Sequence, residues 1–269
     1  MLSHNAAKAA TSSGGPIGWS IALVAITCVT YFLTSTHMWE NILHVRPVPG
    51  QRVLVAADVA VFVRDPALDH PMLSETVTED QLEVFVIANG VMIALLEGLI
   101  HGRASVMPRA AALFMAAVAL NEFTTDFAKY YIGAFRPNFY SGCGWSDETR
   151  QCTSIPTFLR KSFPSGHSSH SWNAATMLTL RALAHLRHQY QYQSLGRSCQ
   201  IWPRLLVPIP CAIAGFISCS RVRDFWHHPV DIAAGSALGA AIAALFSALA
   251  WPAPHEHADG TIAVPVDEP

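Results

Sequence analysis

Six apolar runs punctuate this chain, and they constrain its architecture more than any other feature. Crossing the hydrocarbon of a bilayer takes roughly 20 apolar residues in a helix. Inside lipid the backbone must satisfy its own hydrogen bonds, which leaves helices and closed barrels as the only spanning forms. The runs are Ile17 to Thr36, Val84 to Ile100, Met107 to Phe127, Pro164 to about Ala184, Leu205 to Cys219 and Pro229 to Trp251. Composition agrees: 51% of the 269 residues are hydrophobic and 13% are charged, where a soluble domain carries about 25% charged residues. The expected fold class is all-α, a polytopic membrane protein built as a six-transmembrane helix bundle. Residues 1–16 are expected to be a disordered cytoplasmic N-terminus, 17–251 the six-span domain and 252–269 a disordered cytoplasmic tail. The formal net charge of -2, with no basic stripe, excludes nucleic acid as a partner.

Two runs are less plain than the rest. The first, near the N-terminus, has a cleaved signal peptide as its alternative. The residues after it (Thr34-Ser35-Thr36-His37-Met38) make a poor cleavage site, so a retained span is expected. The fourth begins with a polar turn and a half. Between the first and second runs lies a long connection, 37–83, in which Val53 to Val63 is apolar but too short to cross; it is expected to be interfacial or packed. Glu97, inside the second run, is a costly residue at that depth and is expected either to face the bundle or to reach water at the span's end.

Orientation follows from the basic residues. The 181–204 connection holds Arg181, Arg187, Arg197 and Arg204 and no acid, and the 102–109 connection holds Arg103 and Arg109 and no acid. Both belong on the cytoplasmic side, which puts both termini there as well. Connections 37–83, 128–163 and 220–228 then face the lumen or the exterior. Cys143 and Cys152 share the exterior 128–163 connection, close enough in sequence to close a small ring in a compartment that permits oxidation. A disulfide is expected, with two free thiols as its alternative.

Three polar segments fall at span ends on that one side. In Lys129-Tyr-Tyr-Ile-Gly-Ala-Phe-Arg136-Pro137 the two cations are seven apart, two helical turns on one face, and Pro137 stops the helix. In Lys161-Ser-Phe-Pro164-Ser165-Gly166-His167-Ser168-Ser169-His170 a proline suits a helix start, and free N–H groups in the first turn favour an anion. His167 sits in that turn, where it could donate a proton; His170 reads as structural. In Ser220-Arg221-Val222-Arg223-Asp224-Phe225-Trp226-His227-His228-Pro229-Val230-Asp231 Pro229 opens a new helix. If the turn is helical from His227, Asp231 stacks on the same face, takes the Nδ1–H of the imidazole and leaves Nε2 as nucleophile or base. Each segment alone has a bland reading: snorkelling cations, a helix cap, a juxtamembrane loop. Together, Lys129, Arg136, Ser165, Gly166, His167, Arg221, His227 and Asp231 suit one task, holding a phosphate and transferring it. The acids do not group with the histidines as metal ligands, so neither a metal nor a cofactor is expected.

These segments resemble the three signature motifs of the type 2 phosphatidic acid phosphatase superfamily, KxxxxxxRP, PSGH and SRxxxxxHxxxD, matched without a gap and in the same order. The six spans, RPNFYSGC, the paired Cys143 and Cys152, PSGHSSHS and the HH of HHPVD look most like the eukaryotic lipid phosphate phosphatases. The likeness covers roughly residues 84–251. It implies a site at the exoplasmic or luminal ends of the helices. There His227 attacks phosphorus to form a phosphohistidine, Asp231 orients it, and His167 protonates the leaving alkoxide and then activates water. Lys129, Arg136, Ser165, Gly166 and Arg221 bind the phosphoryl oxygens. The implied substrate is a phospholipid from the bilayer: phosphatidate, lysophosphatidate, diacylglycerol pyrophosphate or a sphingoid phosphate. The alternatives are a polyprenyl pyrophosphatase or a sugar-phosphate phosphatase on the same fold, and an inert membrane scaffold. Neither the organelle nor the oligomeric state is written in these motifs, and a homo-oligomer is compatible with them.

Overall fold

A computed structural model describes Trp39 and residues 42–56, 59–192 and 201–250. The expected first span, both termini and Cys28 and Cys199 lie outside the described residues. In chain order the elements are strands β1 (Gln51–Ala56) and β2 (Val59–Val63), helices α1 (Glu79–His101) and α2 (Met107–Ile132), a one-turn helix α3 (Phe139–Gly142), and strands β3 (Trp145–Ser146) and β4 (Gln151–Cys152). Helices α4 (Gly166–Tyr192), α5 (Ile201–Leu206), α6 (Ile209–Arg223) and α7 (Pro229–Ala250) follow. The protein is mostly helical. Among the described residues, four helical stretches are long and apolar enough to cross a membrane: Glu79–His101, Ala104–Ile132, Arg204–Arg223 and Pro229–Ala248.

Local chemistry sets the helix ends. α1 opens five residues before the apolar run. Thr78 forms a capping box there with Gln81, Thr78 Oγ1 accepting from the Gln81 N–H at 3.3 Å and Gln81 Oε1 from the Thr78 N–H at 3.0 Å. Glu79 and Asp80 complete a first turn that favours acids. α2 runs past Phe127 to Ile132 and stops at Gly133, whose φ of 60° bends the chain out of the helix. Arg136 therefore lies beyond α2. The expectation that Lys129 and Arg136 share a helical face is corrected: glycine, not Pro137, ends the helix.

α4 packs against α1, α2, α6 and α7, and most extensively against α7. The apolar core at this junction includes Ile93, Leu113, Phe114, Ala117, Met177 and Ile242. Two glycines explain how α4 and α7 come so close. A Cβ on Gly235 would stand 2.5 Å from the Ser165 carbonyl oxygen, and one on Gly239 2.0 Å from that of Ser169. Gly235 and Gly239 form the small-xxx-small face that such backbone contact needs. α4 extends eight residues past Ala184, so Arg181 belongs to the helix and not to a connecting loop. It is buried, and its guanidinium meets Glu97 at 2.6–2.7 Å. Glu97, 2% exposed, also accepts from His185 at 3.0 Å and lies 3.4 Å from His101. The Glu97 carboxylate faces the bundle.

The long connections carry more order than an all-helical reading allows. β1 and β2 pair antiparallel with Gln51 opposite Val63, so Val53–Val63 is a hairpin. Its Val53, Leu54, Val61 and Val63 are exposed, while Phe62 stacks on Trp145 at 5.1 Å. Cys143 and Cys152 form the expected disulfide, Cα atoms 5.2 Å apart, closing the β3–β4 hairpin. That hairpin rests on a second small core of Leu68, Phe135, Phe139, Tyr140 and Leu159.

Candidate active site

The start of α4, the chain after α2 and the α6–α7 turn meet at one end of the bundle. The α6–α7 turn is shaped by its own backbone. The N–H groups of Trp226 and His227 both donate to the Arg221 carbonyl, at 3.0 and 3.2 Å, and Phe225 adopts a left-handed φ of 57°. Such a φ is unfavourable for a bulky residue and persists only where the surroundings hold it. Here the His70 ring stacks flat on Phe225 at 4.4 Å.

His227 is 3% exposed, and its Nδ1 lies 2.7 Å from the Ser162 carbonyl oxygen. A carbonyl can only accept, so Nδ1 carries the proton and the lone pair of the neutral ring is on Nε2. Asp231 Oδ2 is 3.6 Å from Nδ1, beyond hydrogen-bond length. The expected carboxylate-to-imidazole bond is thus replaced by a backbone acceptor. The tautomer is the one expected; its cause is different. Asp231 is itself held by the Ser162 hydroxyl at 2.6 Å and the His228 N–H at 2.8 Å, and its carbonyl accepts the Ser165 N–H at 3.0 Å. One residue therefore ties the α7 entrance to the α4 entrance. Burial holds the His227 imidazole below its ordinary pKa; Arg136 and Arg221 push the same way and Asp231 opposes them.

The expected phosphate-binding residues lie on the elements that meet at this end of the bundle. Ser165 caps α4, its hydroxyl accepting from the Ser168 N–H at 3.4 Å. Gly166 lies directly under Lys129: a Cβ there would stand 2.9 Å from Nζ. Lys129 pairs with Asp126 at 3.3 Å. The guanidinium carbons of Arg136 and Arg221 lie over the same Trp226 ring, at 4.9 and 5.4 Å. Burial, followed by repulsion from Arg221, lowers the Arg136 pKa to about 10, still cationic at neutral pH. His167 is buried, within electrostatic range of Arg221, His227 and Lys129. His170 is engaged elsewhere, one nitrogen 2.8 Å from the Gly166 carbonyl and the other 2.6 Å from Glu122.

Three buried nitrogens in this group have no hydrogen-bond partner among the described residues: Arg136 Nε, His167 Nε2 and Arg221 Nε. Buried polar groups are nearly always paired, so this cluster is where an anionic ligand could supply the missing partners.

Sequence reasoning missed several contributors. Ser162 orients both His227 and Asp231. Trp226 is the common platform of two arginines. The chain before α1 forms a strap across the α6–α7 turn. The Leu73 carbonyl accepts from Trp226 Nε1 at 3.0 Å. Thr76 donates to Asp224 through its N–H and its hydroxyl, at 2.6 and 2.8 Å. Arg221 reaches the Val77 carbonyl at 3.1 Å and Glu75 at 2.9 Å. Glu75 and Arg221 are 146 positions apart, so no spacing could connect them.

Comparison with known proteins places this sequence in a lineage. Human phospholipid phosphatase 2 is 34% identical over 149 residues, 49% of this chain and 48% of its own length. Lipid phosphate phosphatase 1 of Arabidopsis thaliana is 30% identical over 155 residues, 54% of this chain and 45% of its own. The phospholipid phosphatase 2 of Mus musculus is 29% identical over 213 residues, 68% and 73%. The chain thus spans about half the length of the first two. No solved structure matches. The profile of the PAP2 superfamily matches residues 110–254, just over half of the chain and inclusive of all three polar segments. With four helices apolar enough to span, this is an integral membrane protein and it belongs to the PAP2 superfamily.

Proposed function

We propose that the protein is an integral-membrane lipid phosphate phosphatase, hydrolysing phosphate monoesters of lipids through a phosphohistidine. The observation that carries this reading is the set of orphaned buried nitrogens on Arg136, His167 and Arg221, gathered around an imidazole whose lone pair is on Nε2. Phosphoryl transfer is mostly positioning and charge stabilisation, so a cage of cations and N–H donors is what it requires.

In the first step His227 Nε2 attacks phosphorus, the N–P bond forms and the ester P–O bond breaks. The leaving alkoxide takes a proton from His167. In the second, His167 accepts a proton from water, whose oxygen displaces His227 and yields inorganic phosphate. Lys129, Arg136, Arg221, Ser165 and the Gly166 N–H hold the equatorial oxygens. Asp231 stabilises the imidazolium charge across 3.6 Å and fixes the two helix entrances. The fixed cations neutralise the phosphoryl charge, so activity is expected in EDTA. The similarity to phospholipid and lipid phosphate phosphatases supports a phospholipid or lipid phosphate substrate. Six spans, with the site on the luminal or exterior face and the termini in the cytoplasm, complete the reading. A headgroup then enters at the helix ends while its tails stay in the bilayer.

The test is phosphate release by the purified full-length chain from phosphatidate, lysophosphatidate, diacylglycerol pyrophosphate, a sphingoid phosphate and glucose 6-phosphate, without metal. His227→Ala should lower kcat by on the order of 10⁴-fold or more. Turnover of lipid phosphates unaffected by that change would reject the assignment, and preference for glucose 6-phosphate would move the substrate class.

A further inference from the structure

We propose that Glu75 is a positioning residue for the phosphate cage, acting through Arg221; this rests on the function proposed above. Arg221 is 1% exposed and its planar guanidinium has little freedom. One terminal nitrogen donates to the Val77 carbonyl at 3.1 Å, the other pairs with Glu75 Oε1 at 2.9 Å, and the plane lies against Trp226. With both ends of the fork anchored in the strap, Nε is the nitrogen left without a partner. A guanidinium so fixed offers phosphate one donor in a set direction, whereas an unanchored one would swing toward any acceptor.

The strap is well built for this purpose. Thr76, next to Glu75, is pinned twice to Asp224, and Trp226 is pinned to Leu73. Position 75 is therefore referenced to the same α6–α7 turn that carries Arg221. Glu75 also lies near enough to Arg136 to oppose, in part, the repulsion between the two arginines. It stands outside residues 110–254, the part matched by the family profile, so it joins the cage to a region of the chain that the three motifs do not reach.

The test is a mutant cycle on the full-length protein in mixed micelles: E75A, E75Q, R221Q and the two double variants. Phosphate release from phosphatidate, inhibition by orthovanadate and thermal unfolding are each measured. Loss of an anchored transition-state donor costs on the order of 10²-fold, so E75A should lower kcat/KM about 30-fold or more, chiefly through kcat, and weaken vanadate inhibition. E75Q, which keeps an oxygen acceptor, should recover about tenfold of that loss. In the R221Q background both changes should matter by less than about twofold, since residues acting through one group are not additive. Wild-type kcat/KM in E75A, E75Q as slow as E75A, or an undiminished loss in the R221Q background would each overturn the proposal. If E75A does not fold, the E75Q–R221Q cycle decides alone: a measurable loss that vanishes without Arg221 supports the proposal, and no loss or an additive loss sinks it. A wild-type protein that releases no phosphate would instead refute the function itself. A wild type that is active and abolished by H227A, with an additive cycle, removes only Glu75.

Discussion

Replacing Gly239 by alanine tests whether the packing of α4 on α7 sets the geometry of the site. The new Cβ would stand 2.0 Å from the Ser169 carbonyl oxygen and 2.9 Å from the Asn173 nitrogen. Both are backbone atoms of α4, so no side-chain rotation relieves the contact. Carbon atoms do not approach that closely, and α4 must move away by at least about 1 Å. Overpacking of this kind costs about 1–3 kcal/mol. Alanine returns up to about 1 kcal/mol in helix propensity, leaving a net destabilisation of about 0–2 kcal/mol. The kinetic effect should be larger than that figure implies. The first turn of α4 bears Ser165, Gly166 and His167, and Ser165 is bonded to Asp231 at the mouth of α7. A shift of about 1 Å between reacting groups costs up to ~10²-fold.

The assay is phosphate release with thermal unfolding of the same preparations. Gly239→Ala should lose 10- to 100-fold in kcat/KM, on that estimate, and Gly235→Ala, whose Cβ meets the Ser165 carbonyl at 2.5 Å, a comparable amount. Gly215→Ala is the control. Nothing lies within 4 Å of its Cβ, so it should keep the wild-type rate and gain up to about 1 kcal/mol in stability. Wild-type kinetics and melting in Gly239→Ala would refute the claim that helix contact fixes the site.

Two further expectations follow from the covalent and titratable groups. The Cys143–Cys152 bridge closes a loop of about ten residues, so reduction or a double serine substitution should lower stability by about 2.5 kcal/mol; a melting temperature indifferent to reductant would contradict it. The His227 pKa is depressed in the fold, so the unfolded chain binds its proton first. Stability from the neutral ring is full above about pH 6.5 and is lost as the pH falls from there through the lower folded-state value. Unfolding of the wild type, compared with H227N, should therefore show an extra loss of stability below about pH 6.5, and parallel pH profiles for the two would contradict it.

Apolar runs made α1, α2 and α7 legible, because hydropathy reports directly on a helix that faces lipid. The ends were less so. Thr78 starts α1 and Gly133 stops α2 through capping, which acts over one turn and is blind to hydropathy. Arg181 read as a loop cation because a charge usually ends an apolar run; the helix continues because Glu97 neutralises it from another helix. The candidate residues at positions 129–231 were found because each motif is local, with its members within twelve positions. What holds them was not local. Ser162 reaches Asp231 across 69 positions, and Glu75 reaches Arg221 across 146. Such contacts leave no period or spacing in a sequence.

The place of α4 follows from its polarity. It is not among the helices apolar enough to cross alone, yet its neighbours supply what lipid could not. Asn121 and Thr125 of α2 donate to Ser169 at 3.3 and 3.0 Å. Trp172 donates to Ser218 of α6 at 3.2 Å, and Asn173 to the Gly239 carbonyl at 3.2 Å. In a low-dielectric interior an unpaired polar group costs several times what a paired one returns, so each of these bonds fixes α4 in rotation and height. A greasier α4 would insert more readily but could slide along its neighbours. In the register these bonds hold, the N-terminal turn of α4 stands between Lys129 and Asp231. The polarity that makes α4 a poor membrane span is therefore what aims the site.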